Sequence, residues 1–134
     1  MPELQCIVVT PEETALDQSA SFVVVPLFDG EFGVGPGHSP MIGRLGFGEL
    51  RIRAADGTTA RYYVDGGFVQ VADNVVTLLT GRIVKSDKVD SAAAEQQLQQ
   101  AMSQPVNTDE LLQVRDRAIE QARAQMRIAG RSGS

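Results

Sequence analysis

An abrupt change in amino-acid composition constrains the fold of this 134-residue chain more than any single motif does. All five Phe and both Tyr lie at or before Phe68, and all but two of the 13 Gly lie at or before Gly81. Residues 82–129 contain neither Gly nor an aromatic residue and are rich in Ala, Gln, Leu, Glu and Arg, most of which favour helices. The sequence therefore predicts a mainly β fold with an α-helical appendage: a β domain over residues 1–86 and helices over residues 87–134.

The first part of the chain shows short runs of β-branched residues separated by turn residues. Asp56-Gly57 predicts a hairpin turn because Gly adopts positive φ at little cost, and Asp73-Asn74 predicts another. Since no helical pattern lies between the runs, we expect antiparallel strands that form a sandwich or barrel. The predicted strands are Leu4–Val9, Ser19–Leu27, Gly48–Ala54, Ala60–Val64, Phe68–Val71 and Val75–Leu79.

The second part predicts a hairpin of two helices. Asp87 is a favourable N-cap for a first helix that ends near Ser103. Asn107 or Thr108 caps the second helix, and Gly130 predicts its C-terminal end. The apolar stripe of the second helix is narrow and alanine-rich, so it buries little area per turn and predicts weak attachment to its neighbours. The stripe comprises Leu111, Val114, Ala118, Ala122, Met126 and Ala129.

Composition excludes several classes of function. With 17 acidic and 12 basic residues the net charge is −5, which argues against a nucleic-acid partner. A lone Cys6 forms no internal disulfide and a single His38 builds no His-rich metal site, so we expect no metal and no other cofactor. The apolar run at residues 22–28 is too short to span a membrane, and the first residues lack the features of a secretory signal or transit peptide.

The sequence gives little support for a catalytic site. His38 and Ser39 are neighbours in sequence, and such neighbours rarely meet as base and nucleophile. The glycines of residues 33–37 lack the spacing of a dinucleotide-binding loop. Nothing fixes the separation of carboxylates such as Glu49 and Asp65. The residues favour a binding or regulatory protein. A free-standing β-sandwich ligand-binding module with a helical dimerisation tail, and a hydrolase using Ser39 or a carboxylate pair, stay open as alternatives.

The segment Gly30–Met41 carries the pattern Gly-x-x-Gly-x-x-Pro-Gly-His-x-Pro. This pattern resembles the signature of the epsilon subunits of F-type ATP synthases. The likeness covers nearly the whole chain, including a helical tail of the right length. It continues, in the order of the family, through Leu45–Leu50, Tyr63–Val71 and Asn74–Leu79.

The resemblance implies an N-terminal antiparallel β-sandwich followed by a C-terminal two-helix hairpin, in a non-catalytic subunit of the rotor of a proton-translocating enzyme. In this family the sandwich binds the foot of the gamma subunit and rests on the ring of c subunits. The hairpin either folds against the sandwich or extends along gamma towards the alpha/beta catalytic head, where it restrains ATP hydrolysis. The resemblance also implies a peripheral position at the cytoplasmic face of the inner (plasma) membrane, reached only through the complex.

Two positions in the Gly30–Pro40 segment are implicated by the resemblance. Glu31 and His38 correspond to positions that face the polar loops of the c ring. Gly residues permit tight turns and Pro residues stiffen the chain, so we expect a loop that presents both side chains in a fixed pose. A purely structural role for His38 is the alternative.

The second helix is rich in positively charged residues. Residues 111–134 contain five Arg and two acidic residues, a net charge of +3 within an acidic protein. The resemblance implies that Arg115, Arg123 and Arg127 contact an acidic surface of the beta subunit. The alternative is a solvated helix face whose arginines interact with the helix dipole.

The first helix departs from the nucleotide-binding pattern of the family. In Val89–Ala101 the aspartate of that pattern is kept as Asp90, whereas its two arginine positions hold Ala93 and Gln100. Each lost charge-assisted hydrogen bond costs roughly 1.5–3 kcal/mol, so affinity falls by at least about a hundredfold. We therefore expect no binding of ATP tighter than about millimolar.

Overall fold

The computed structural model describes residues 3–132 and divides the chain into two compact units between Lys85 and Ser86. The β unit precedes this boundary and the helical unit follows it. The predicted fold class, a β-sandwich followed by a two-helix hairpin, is confirmed. The strands are β1 (Leu4–Val9), β2 (Thr14–Ala20), β3 (Phe22–Leu27), β4 (Gly30–Val34), β5 (Met41–Arg53), β6 (Thr59–Ala72), β7 (Val75–Leu79) and β8 (Ile83–Lys85). A 3-10 turn (Ser86–Lys88) precedes helices α1 (Ser91–Ser103) and α2 (Asp109–Ser132).

The strands follow one hydrogen-bonded path in the order β2-β1-β7-β6-β5-β3-β4, and β8 pairs with β6 beside this path. All pairs are antiparallel except β1 and β7, which run parallel. The first half of β6 pairs with β8 and its second half with β7. Between the halves, Gly67 has a φ of +107°, and a Cβ there would lie 1.8 Å from the carbonyl oxygen of Leu79. Only glycine fits at this position, where β6 changes its pairing partner from β8 to β7.

One hydrophobic core lies inside the β unit. Its side chains alternate along the strands with outward-facing ones, as the period of two in a strand requires. Each fully buried Val or Leu contributes about 1.5–3 kcal/mol to folding. The core side chains that are most completely buried include Leu4, Cys6, Val8, Val23, Val25, Val34, Leu50, Val64, Val69 and Leu78.

Several strand boundaries differ from the prediction. The expected single strand Ser19–Leu27 is split at Ser21, whose Oγ donates hydrogen bonds to the carbonyl oxygens of Arg53 and Ala54. The first part of the expected loop, Gly30–Val34, is instead strand β4, because it pairs with β3 in a hairpin. Strand β6 unites two predicted strands, and β8 was not predicted.

The first helix begins three residues later than expected. Asp90, not Asp87, is its N-cap: one carboxylate oxygen accepts hydrogen bonds from the backbone N–H groups of Ala92 and Ala93, at 3.0 and 3.1 Å. Asp87 lies in the preceding 3-10 turn. An aspartate two or three residues before free N–H groups satisfies donors that a helix leaves unpaired.

The second helix begins as expected and ends later. Thr108, one of the two predicted caps, accepts a hydrogen bond from the N–H of Leu111 at its Oγ1, at 3.1 Å. Gly130 does not end the helix, which continues to Ser132. Gly130 does not adopt the positive φ that ends many helices. A Gly inside a helix costs about 1 kcal/mol relative to Ala, which this helix tolerates.

The predicted apolar stripe of α2 is buried only in part. Leu111 and Val114 are exposed, whereas Ala122 is buried. The hairpin itself is closed by small and polar side chains: Gln97 of α1 donates from Nε2 to the carbonyl oxygen of Ala118 and to Oε1 of Gln121, each at 3.3 Å. The buried side chains of α2 are Ala122, Ala124, Gln125 and Ile128.

Candidate interaction surfaces

Glu31 lies on β4 and belongs to a chain of ion pairs. Its Oε2 accepts a hydrogen bond from Nη1 of Arg51 at 2.5 Å. The same nitrogen lies 3.5 Å from Oε1 of Glu49, which also accepts from Nη1 of Arg61 at 3.0 Å. The hydrogen bond to Glu31 is the main cause that raises the pKa of Arg51 above its usual value. Glu31 is therefore presented from a strand and held by Arg51, rather than by a loop.

His38 lies in the turn that follows β4 and is half-buried. Its ring meets the ring of Phe32 edge-on, with centroids 5.3 Å apart, and its Nδ1 lies 2.7 Å from the carbonyl oxygen of Ser39. The preceding Gly37 has a φ of +79° and donates its N–H to Oδ1 of Asn74 at 2.7 Å. The turn that carries His38 is thus held by contacts on both sides, at the His38 ring and at the N–H of Gly37.

The structure does not bring Glu31 and His38 into one cluster. Successive side chains of a strand point to opposite faces, so Glu31 and Phe32 face in opposite directions. His38 packs against Phe32. Glu31 therefore faces away from the side of β4 against which His38 packs.

A row of exposed apolar side chains crosses the outer face of the β unit. Arg44 on β5 lies opposite Phe68 on β6, and Phe68 lies opposite Leu79 on β7. Directly opposed residues share a face of the sheet. Phe28 lies beside Arg44, and Ile42 shares its face two residues earlier. The exposed fractions are 67% for Phe28, 75% for Ile42, 56% for Phe68 and 53% for Leu79. We call these four residues, together with Arg44, the apolar patch.

Sequence reasoning missed the apolar patch, although a signal for it was present. In the predicted strand Phe68–Val71, the alternation places Val69 and Val71 on one face. Both are buried in the core. Phe68 therefore shares the outward phase with Gln70. An aromatic residue in the polar phase of a half-buried strand indicates a contact surface.

The three arginines predicted to contact the beta subunit are distributed along α2. Arg123 and Arg127 are exposed and lie one turn apart on the same face. Arg115 lies about two turns earlier and is half-buried, with Nη2 3.8 Å from Oδ1 of Asp116. Within residues 3–132 the buried Nε of Arg115 has no hydrogen-bond partner.

The positions of the nucleotide-binding pattern all lie at the start of or within α1. The Oδ1 atom of Asp90 is engaged as the helix cap. Ala93 and Gln100 are exposed, and each is followed by a buried alanine, Ala94 and Ala101. This part of α1 offers a small-residue packing face and no cation for a phosphate group.

The groups considered for catalysis have other contacts. Nδ1 of His38 faces the backbone oxygen of Ser39, not its hydroxyl. Glu49 is paired with two arginines, and a carboxylate oxygen of Asp65 accepts from the hydroxyl of Tyr63 at 2.7 Å. Across residues 3–132, no three His, Cys, Asp or Glu side chains converge to hold a metal ion. In the same range, no helix combines the length and apolar character needed to cross a membrane.

The fold is that of known ATP synthase subunits. A chain of the mitochondrial ATP synthase of Euglena gracilis, in a structure of OSCP, F1 and c-ring, superposes with a TM-score of 0.81 at 22% identity, over 92% of this chain and 80% of that one. A chain of the central stalk and c-ring structure of the Tetrahymena thermophila mitochondrial enzyme gives a TM-score of 0.75 at 15% identity, over 96% and 97%. At these identities the likeness shows the fold alone.

Sequence comparison shows the family. The model of the ATP synthase Delta/Epsilon chain beta-sandwich domain matches residues 3–86. The ATP synthase epsilon chain of Rhodopirellula baltica is 50% identical over 126 residues, 94% of this chain and 98% of the relative. The epsilon chain of a Synechococcus species is 38% identical over 90% of this chain and 88% of the relative. The expected resemblance is thereby confirmed, and the chain belongs to the family of ATP synthase epsilon chains.

Proposed function

We propose that this chain is a non-catalytic subunit of the rotor, in which the β unit binds the gamma subunit and rests on the c-subunit ring. The helical unit restrains ATP hydrolysis by the alpha/beta catalytic head. In this role the chain couples proton flow through the c ring to ATP synthesis. It lies at the cytoplasmic face of the inner (plasma) membrane and reaches the membrane only through the complex.

The apolar patch is the observation that carries the proposal of gamma binding. Four large apolar side chains, each more than half exposed, surround Arg44 on one face of the sheet and together form a row with it. A protein that worked alone would gain nothing from such a row and would risk aggregation. A permanently bound subunit covers it, and the buried apolar area then stabilises the complex.

Substitution within the apolar patch tests gamma binding. We expect the double variant Phe68→Ser, Leu79→Ser to bind purified gamma at least about thirtyfold more weakly, since the loss of even one central apolar anchor costs about 2 kcal/mol or more. The matched control is Val114→Ser, which changes an apolar side chain on α2 that is also more than half exposed. Unchanged affinity of the double variant would remove the patch from the gamma interface.

Glu31 and His38 are proposed as contacts to the c ring. Support comes from the exposure of Glu31, whose side chain is 54% accessible, and from the rigid turn that carries His38. A structural histidine remains the alternative for His38 because its ring packs on Phe32. The variant His38→Gln distinguishes the structural role from the c-ring contact. Loss of thermal stability with intact assembly favours the structural role. Impaired assembly with native thermal stability favours the contact.

The arginines of α2 are proposed to hold the restraining position through several weak ion pairs. Exposed pairs contribute only about 0–1 kcal/mol each and weaken with salt, so several must act together. We expect the variant Arg115→Ala, Arg123→Ala, Arg127→Ala to raise ATP hydrolysis by the assembled head at low salt. The increase should shrink at high salt, where the native contact is already screened. Unchanged hydrolysis at low salt would favour a solvated helix face.

Regulation is proposed to proceed without direct sensing of ATP by this chain. The supporting observation is the neutral, exposed pair Ala93 and Gln100 at the arginine positions of the family's pattern. Isothermal titration of the isolated chain with Mg-ATP tests this point. A micromolar dissociation constant would contradict it and would show that other side chains replace the arginines.

A further inference from the structure

A single charged side chain lies inside the apolar patch. Arg44 is opposed by Phe68 across the β5–β6 ladder, and its Cζ lies 6.0 Å from the centre of the Phe28 ring. Ile42 lies two residues away on the same face. Any partner that covers the apolar side chains therefore also covers the guanidinium of Arg44.

No carboxylate of this chain pairs with Arg44 within residues 3–132. Asp29 follows Phe28 in the β3–β4 turn but makes no ion pair with Arg44. By contrast, Arg51 and Arg61 of the same unit pair with Glu31 and Glu49. Arg44 is exposed, so water solvates its guanidinium. In the described part of the chain, the guanidinium lies over the ring of Phe28 with no carboxylate beside it.

Covering the patch removes that water. A guanidinium buried without a counter-ion costs far more free energy than stacking on one aromatic ring returns. Its planar set of donors matches the two oxygens of a carboxylate. Burial of the patch is therefore favourable only if the covering surface supplies an anion at Arg44.

We propose that the surface of the gamma subunit that covers the apolar patch presents an Asp or Glu carboxylate to Arg44. The inference rests on the proposed binding of gamma by the β unit. The apolar side chains supply most of the affinity, and the Arg44–carboxylate pair fixes the position of gamma on the sheet, because a displaced partner would leave two buried charges unpaired.

The test compares substitutions of Arg44 in the full-length chain by their affinity for purified gamma. Arg44→Glu should weaken binding by about thirtyfold or more, because it places two carboxylates together. Arg44→Met keeps an apolar side chain of similar length, and we expect it to weaken binding about tenfold or more, since it leaves the carboxylate of gamma unpaired. Affinity of Arg44→Met equal to or above that of the native chain would overturn the proposal.

The matched control is Arg53→Glu. Arg53 lies on the same strand, is exposed, and stacks on Phe22 with its Cζ 5.4 Å from the ring centre, but it lies outside the apolar patch. We expect this variant to bind gamma with native affinity. An equal loss for Arg53→Glu and Arg44→Glu would mean that net charge, not a specific pair, governs the affinity, and would contradict the proposal.

Charge reversal on gamma identifies the carboxylate. Each Asp and Glu of gamma is replaced in turn by Lys, and one of these variants should restore binding to Arg44→Glu while weakening binding to the native chain. If none restores it, the proposal is wrong even though the patch binds gamma. If the double variant Phe68→Ser, Leu79→Ser also binds gamma with native affinity, the apolar patch is not the gamma-binding surface, and the proposed function is wrong on this point.

Discussion

Asn74 joins three segments of the β unit at one residue. Its φ of +63° is a left-handed conformation that Asn tolerates better than most residues. Its carbonyl oxygen accepts from the N–H of Gln5 at 2.8 Å, and its Oδ1 accepts from the N–H of Gly37 at 2.7 Å. The second hydrogen bond ties the β6–β7 turn to the turn that carries His38.

Substitution of Asn74 should loosen that turn in a way that depends on the acceptor. Asn74→Gly keeps the left-handed backbone but removes the side-chain oxygen, so we expect amide hydrogen exchange at Gly37 to quicken about two- to tenfold. Asn74→Asp retains both features and serves as the control, with exchange close to native. Equal exchange rates at Gly37 in all three proteins, measured by NMR, would show that the bond does not hold the turn.

Cys6 predicts a specific loss of stability at high pH. Burial, with a smaller contribution from Asp17, raises the pKa of this thiol from 9.0 to about 12. The unfolded thiol ionises first, so the folded state binds more protons between these values and its stability falls as pH rises from about 9 towards 12. The stability that Cys6 contributes is fully present below pH 9.

The variant Cys6→Ala isolates this effect. Below pH 9 the difference in unfolding free energy between the native chain and the variant should be constant. Above pH 9 it should shrink by about 1.4 kcal/mol per pH unit. Urea unfolding at several pH values measures this difference. A constant difference up to pH 11 would contradict the raised pKa of the Cys6 thiol.

At the scale of elements, prediction succeeded where local pattern and tertiary structure agree. Strands β1 and β7 have the predicted bounds because each is a short β-branched run flanked by turn residues. Gly30–Val34 was predicted as part of a loop because Gly residues permit tight turns and Pro residues stiffen the chain. Its pairing with β3 makes it a strand instead. Strand β8 has three residues and is defined only by its pairing with β6, which no local pattern records.

The start of the helical unit provides a prediction at this scale. Asp90 caps α1 and Asp87 does not, so Asp90→Ala should destabilise the helical unit by about 1 kcal/mol. Asp87→Ala, the matched control, should change its stability by less than about 0.5 kcal/mol. Unfolding followed by circular dichroism at the helix band distinguishes them. Equal losses would restore Asp87 as the cap.

At the scale of the whole molecule, the sequence indicated the family and the fold class but not the geometry of the site. The glycines and prolines of the Gly30–Pro40 segment are close together in the sequence, so their pattern can be recognised without the structure. The apolar patch depends on strand register, since Phe28, Arg44, Phe68 and Leu79 come from four separate segments. Register is set by the packing of the core and by the change of pairing partner at Gly67, which a single sequence reveals only after the strands are paired.

The two units are proposed to have separate functions. The apolar patch, Glu31 and His38 all lie in the β unit, and the arginines proposed to restrain hydrolysis all lie in α2. The β unit also contains the hydrophobic core of the strands. A chain that ends at Ser86 therefore retains every feature proposed for gamma and c-ring binding and loses every feature proposed for restraint.

The most direct test measures ATP hydrolysis and ATP-driven proton pumping by a synthase assembled with the chain ending at Ser86, against the same enzyme with the full chain. We expect faster hydrolysis with the shortened chain, with proton pumping still coupled to it. Hydrolysis at the rate of the full-length complex would contradict restraint by the helical unit. Loss of the shortened chain from the complex, although it remains folded, would contradict binding through the β unit.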